Sequence, residues 1–161
     1  MAIYVKYTEP TIEGGVTAQG YAKQFEVQSF QFGVGRGVGS PVGGATNREA
    51  STPSVSEVVL SKVLDEASGG LIKEAFSGAG KATAVISFVR TDAGGGVTYL
   101  EITLSDVMLS GWSISSGGDR PAETLSLNFT KIEIKIIPQN ADGTVGTAFP
   151  VTYDLALQKT S

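Results

Sequence analysis

Histidine and cysteine are both absent from this chain. With them go Ser-His-Asp catalysis, a thiol nucleophile, a disulfide framework and most zinc sites. Carboxylates, hydroxyls and lysines remain. Asp65, Glu66, Glu101, Asp106, Asp119 and Glu123 are the candidates for acid/base work. Glycosidase-type hydrolysis would need two of them held roughly 5–10 Å apart in a cleft, and no spacing in the sequence signals such a pair. Asp119, Arg120 and Glu123 read instead as a turn with a local ion pair. Lys131, Glu133 and Lys135 alternate, which puts them on one exposed strand face suited to cross-strand pairing. Gly78-Ala79-Gly80-Lys81 has the look of a phosphate loop but departs from it. Residue 82 is Ala rather than Ser or Thr, residue 75 is Ala where the first Gly belongs, and the segment runs from helix to strand. The run from Gly33 to Gly39 lacks the G-x-G-x-x-G spacing and no helix follows it. No catalytic residue, metal or cofactor is therefore expected.

The elements that position these residues are strands. Alternate residues of a strand face opposite sides, so a half-buried strand alternates apolar and polar. Leu125, Leu127 and Phe129 are apolar at odd positions, whereas Ile132, Ile134 and Ile136 are apolar at even ones. The phase flips across Thr130-Lys131, as a β-bulge or a corner would make it. It flips again between Val27 and Phe30, between Leu104 and Val107, and between Leu109 and Trp112. Strands that change face repeatedly bend sharply, which suits a small barrel or a tightly rolled sandwich. On the segment around residue 30, Ser29, Gln31 and Gly33 lie opposite Phe30 and Phe32. That small polar face is either a plain solvated surface or the lining of something wet.

Further strands are expected from Ile3 to Tyr7, over 54–64, over 81–91, and from Val151 to Leu157, with a hairpin turn at Asp92–Gly96. The spacing of Leu71, Ile72, Ala75 and Phe76 predicts one short helix with these side chains on its packed face, capped by Ser68 and closed by Gly78 as the residue after the C-cap. Residues 35–54 are rich in Gly, Ser, Thr and Pro and read as a structureless insertion, long for a compact domain. At 161 residues the chain fits a single domain, 1–161, able to bury roughly 70% of its unfolded surface. Its 41% apolar, 17% charged composition with 21 Gly is that of a turn-rich globular protein. A net charge of −4 argues against nucleic acid as a partner. The N-terminus MAIYVKYTEP is not a Sec-type signal peptide, and no stretch has the ~18 apolar residues of a membrane span.

Residues 116–143 resemble the hemolysin-coregulated protein family, the tube subunit of bacterial type VI secretion. The resembling residues are Gly117-Gly118-Asp119-Arg120-Pro121, Glu123, Leu125-Ser126-Leu127-Asn128-Phe129 and Pro138-Gln139-Asn140-Ala141-Asp142-Gly143. The same register continues at Glu26-Val27-Gln28-Ser29-Phe30 to Gly33, at Val59 to Ser68, and at Tyr99-Leu100-Glu101-Ile102-Thr103-Leu104 to Val107. The resemblance implies a mainly β fold: two antiparallel sheets rolled into a small β-barrel, with one short α-helix (about residues 69–77) and a long extended loop (about residues 35–54).

The resemblance also implies a function. The chain would form a homohexamer whose rings stack into a tube, work beside sheath, baseplate and spike proteins, and hold small effector proteins in its lumen. It would not insert into a membrane. It would be made in the bacterial cytoplasm and secreted by a signal-peptide-independent route. By the same resemblance Gln31, with Ser29 and Gly33, would face the lumen. Gly37, Gly39, Ser40, Pro41, Asn47 and Arg48 would belong to the loop that reaches a neighbouring ring. Other readings are a tail-tube subunit of a phage-like contractile particle, a monomeric ligand-binding β-domain for carbohydrate, and a carboxylate hydrolase. Mass in solution separates the ligand-binding domain from the ring. The hydrolase would need a pocket flanked by two carboxylates.

Overall fold

The computed structural model describes residues 1–39 and 49–161 of the chain. In chain order the elements are β1 (Ala2–Thr8), β2 (Phe25–Val27), β3 (Ser29–Gln31), β4 (Val34–Gly35), β5 (Val38–Gly39), β6 (Glu49–Ala50), β7 (Ser54–Val55), β8 (Val58–Val63), α1 (Ser68–Ser77), β9 (Ala82–Asp92), β10 (Gly95–Ser115), β11 (Ala122–Asn128), β12 (Lys131–Ile136), β13 (Phe149–Asp154) and β14 (Lys159–Thr160). All pairings are antiparallel.

The long strand β10 organises the molecule. Its N-terminal half lies between β9 and β12, and its C-terminal half pairs with β11. From β11 the pairing continues to β8 and β3, and from β9 to β1 and β2. Strands β2 and β3 are halves of one segment, so the path returns on itself and rolls the two sheets around a shared core. The phase flips near Gln28, Asp106 and Thr130 mark places where the chain turns from one sheet to the other, and the one between Leu109 and Trp112 is a bulge within the β10–β11 pairing. At Gln28 the chain leaves β1 and joins β8, with the Gln28 amide donating to the Ser61 carbonyl at 2.7 Å. Asp106 takes φ 52 and shifts the register against β9 between Leu104 and Val107. A second irregularity against β11 falls between Leu109 and Gly111. Thr130 bends the chain between β11 and β12. Its amide donates to the Ser105 carbonyl at 3.1 Å and its hydroxyl to Asp106 at 2.7 Å, so the two adjacent bends are tied together.

The bends let both phases of each strand reach the interior. Leu104, Val107 and Leu109 are all buried, as are Leu127, Phe129 and Ile132. Val5, Tyr7, Phe25, Leu60, Leu71, Ile86 and Leu125 complete the centre of the core. Each such side chain contributes about 1.5–3 kcal/mol of transfer free energy.

Five sequence expectations change in detail. The helix is present, but Ser68 is its first residue rather than a side-chain cap, and its hydroxyl turns inward to a polar cluster. Gly78 is the C-cap itself, in extended conformation, its amide bonded to the Glu74 carbonyl. Phe76, grouped by spacing with the packed face, points into solvent at 86% exposure. The final strand stops at Asp154, whose carboxylate accepts from the Leu157 amide and turns the chain back into β14. The extended loop over 35–54 is not structureless where described. Its arms pair as β4 with β7 and β5 with β6. The Gly37 amide donates to the Ser51 hydroxyl at 2.8 Å, which stitches the arms between these pairs.

Candidate functional site

The outward face of β3, β8, β11 and the C-terminal half of β10 differs from the rest of the surface. Strand register aligns its side chains in rows. Ser29 lies opposite Ser61, Ser61 opposite Thr124, and Thr124 opposite Ser113. In the next row Gln31 faces Val59, Val59 faces Ser126, and Ser126 faces Gly111. The face ends in Val63, Ala122 and Ser115 on one side and Asn128 on the other. None of these positions carries a charge. At the margin, the Ser110 hydroxyl donates to Glu57. The Ser29 and Ser61 hydroxyls hydrogen-bond each other across the strands. The other sheet is the opposite case, with Lys131, Glu133, Lys135 and Glu101 on its outward side. There Lys135 Nζ reaches Glu101 Oε1 at 3.0 Å, the cross-strand pairing expected of that charge pattern.

A face of small hydroxyl side chains gives little help in holding its own sheet flat, so rigidity must come from beneath. Phe30, Val58, Leu60, Leu125 and Leu127 provide it as core. Beside them lies a buried ion pair: Lys62 Nζ donates to Glu123 Oε2 at 2.8 Å, and both side chains are 0% exposed. The Ser68 hydroxyl donates to the same oxygen at 2.7 Å, and Trp112 Nε1 to Glu123 Oε1 at 2.9 Å. Lys62 also donates to Asp65 Oδ1 at 2.7 Å and to the Val63 carbonyl at 2.9 Å. The cluster joins β8, β10, β11 and the start of α1, with the polar atoms of both charges satisfied. Burial raises the Glu123 pKa. The hydrogen bonds from Lys62, Ser68 and Trp112, with the Lys62 charge, outweigh it and leave the carboxyl below its ordinary range.

The expected site residues separate into three groups. Ser29 and Gln31 sit exposed on the polar face. Gly33 is exposed just beyond β3, and its amide donates to Ser56 Oγ at 2.9 Å where the paired loop begins. Gly37 and Gly39 belong to the loop arms, Gly39 opposite Glu49. Ser40, Pro41, Asn47 and Arg48 lie outside the described residues. The carboxylates are dispersed. Glu123 pairs with buried Lys62 rather than with Arg120 at the surface, Asp106 holds Thr130, and Glu101 holds Lys135. Asp65 and Glu66 line a surface cleft of ≈ 490 Å³ together with Glu26 and Arg120. Among the described residues no group of carboxylates is arranged to hold a metal ion. Ser61, Ser113, Thr124 and Ser126 complete the polar face without having been singled out in the sequence. Their signal was there, as the polar phase opposite Leu60, Leu125 and Leu127.

Comparison with known proteins agrees with this architecture. The family described as "Type VI secretion system effector, Hcp" matches residues 4–136. Protein hcp1 of Pseudomonas aeruginosa is 32% identical over 94 residues, a match spanning 56% of this chain and 57% of that protein's length. A solved structure described as a type six secretion system protein superposes with a TM-score of 0.87 at 24% identity, over 99% of both chains. Hcp1 from Salmonella typhimurium superposes with a TM-score of 0.72 at 21% identity, over 99% of this chain and 98% of that one. The chain belongs to the Hcp family of type VI secretion system proteins.

Proposed function

We propose that this protein is the structural tube subunit of a type VI secretion machine. Six copies close into a ring, rings stack into a tube, and the uncharged face bearing Ser29, Gln31 and Ser61 lines the bore. The observation that carries this reading is that face, in a chain of the Hcp family: polar enough to stay wet, free of charge at its strand positions, and backed by the chain's own core. A bore wall of this kind hydrates without binding charged matter tightly. Small effector proteins would be held through hydrogen bonds to hydroxyls and to Gln31. Sheath, baseplate and spike proteins would be the other partners. The subunit would assemble in the bacterial cytoplasm and leave through the machine itself. It performs no bond-making chemistry. The loop over 35–54 would reach the neighbouring ring, and its paired arms make it stiff enough to project.

The test combines light scattering with negative-stain imaging of the purified chain. Rings with a hollow centre are the expected result, and a monomer at every protein and salt concentration would overturn the proposal. For the lumen, Gln31→Arg should leave ring size unchanged and reduce retention of a co-expressed effector. Ring collapse in that variant would place Gln31 in a subunit contact instead. Deleting residues 38–50 should spare rings and shorten tubes.

A further inference from the structure

One apolar face of the molecule is left open, and its exposure rises along the strands. In register across β12 and β13 stand Ile132 with Tyr153, Ile134 with Val151, and Ile136 with Phe149. Ile132 is 3% exposed and part of the core, whereas Ile136 is 52% and Phe149 65% exposed. The core therefore runs continuously out from under the barrel onto an uncovered wing. At the root of the loop, Phe32, Val34 and Val55 form a groove of ≈ 200 Å³ with the inner residues of the wing, Ile134 and Val151 among them. Elsewhere on the surface, α1 presents Phe76, the most exposed aromatic side chain among the large hydrophobics. It stands one turn from half-buried Ile72 and has no groove of its own.

We infer that the wing groove of one copy receives the Ile72–Phe76 stripe of the next, forming the seam between neighbouring subunits. This rests on the ring reading above. A ring of more than two copies is closed by heterologous contacts, so every copy must carry both unlike halves of the seam. This chain carries two such halves, a concave apolar one and a projecting aromatic one, on different elements. An aromatic anchor in an apolar pocket is also the arrangement that concentrates binding energy at interfaces. A second copy is thus an occupant that explains both uncovered features at once.

The experiment uses the full chain in three forms: wild type, Val34→Asp in the groove, and Phe76→Asp on the helix. Both substituted side chains are more than half exposed, so the fold should survive. Emission from Trp112, the single tryptophan of the chain, reports this. Should the groove variant misfold, Val34→Ser takes its place. By light scattering the wild type should assemble, and each variant should remain monomeric at the same concentration. An equimolar mixture of the two variants should give a dimer and nothing larger, because each pair keeps one intact seam. Assembly of either variant alone, or failure of the mixture to pair, would overturn the seam while leaving the ring reading intact. A monomeric wild type would overturn the ring reading and the seam with it.

Discussion

Lys62 occupies a strand position where the alternation of Val58 and Leu60 demands an apolar side chain, and it is fully buried there. The surroundings explain how a charge is tolerated: Glu123, Asp65 and the Val63 carbonyl accept its protons. Removing one member of such a pair leaves the other charged in the core, at a cost of about 3–5 kcal/mol. Lys62→Met should show a loss of that size in denaturant unfolding. Lys62→Met/Glu123→Gln should lose much less, because the Gln oxygen can still accept from Trp112 while its amide donates to the Ser68 hydroxyl. The pH dependence follows from the same geometry. With its folded pKa depressed, Glu123 contributes stability above the unfolded value of about 4.3, and this is lost as the pH falls through the folded value. Glu123→Gln should therefore flatten the acid limb of a stability–pH curve. Tyr7 behaves oppositely. Burial, then the Glu74 carboxylate and the hydrogen bond to it, push the phenol up. A raised phenol contributes stability below its unfolded value of about 10 and loses it as the pH climbs through the folded value. Tyr7→Phe should flatten the alkaline limb, read by the same melts.

Within the elements, α1 offers a controlled comparison. Gly69 and Gly70 are adjacent residues of its first turn. A Cβ at Gly69 would meet nothing within 4 Å, whereas one at Gly70 would lie 3.1 Å from Ile12 Cγ1 and 3.2 Å from Cγ2. Gly69→Ala should raise stability by about 0.5–1 kcal/mol through the lower entropy of the unfolded chain. Gly70→Ala should forfeit that gain, because the core residue Ile12 must shift; thermal melts of the pair decide it. Element scale is also where the sequence was most legible. Every phase flip of the apolar alternation became a bend, because a residue's side of a strand is a local property that period two reports directly. Phe76 was not legible. Helical spacing groups it with Leu71, Ile72 and Ala75, yet how far the packed stripe extends around a short helix depends on where the helix meets the sheets. The loop arms were hidden for a related reason. Gly, Ser and Thr give no alternation, so the pairing of Val38 with Ala50 leaves no periodic trace. Lys62 was hidden because a lysine within a strand reads as solvent-facing, and its partner Glu123 is distant in sequence. The polar face stood half legible: Ser29, Gln31 and Gly33 could be read off one segment, but the rows with Ser61, Thr124 and Ser113 exist only once the register is known.

In the assembly proposed above, two kinds of contact would answer differently to salt, and this would separate ring closure from stacking. Each copy carries a net charge of −4, so every ring added to the proposed tube would bring more negative charge against the ring beneath it. The seam proposed within a ring joins apolar surfaces, Phe76 and Ile72 against Val34, Ile134 and Val151, where burial drives association and screening has little to act on. Between such rings, repulsion among exposed carboxylates would oppose contact over a screening length of about 30 Å at 10 mM salt and about 8 Å at 150 mM. Raising salt across that range should leave the proportion of closed rings unchanged and lengthen the tubes. Light scattering would follow ring closure at low protein concentration, and tube lengths would be counted in negative-stain fields at matched concentration. Tubes that shorten as salt rises would mean that opposite charges meet across the stacking plane, and the net charge of the subunit would then be no guide to how rings join.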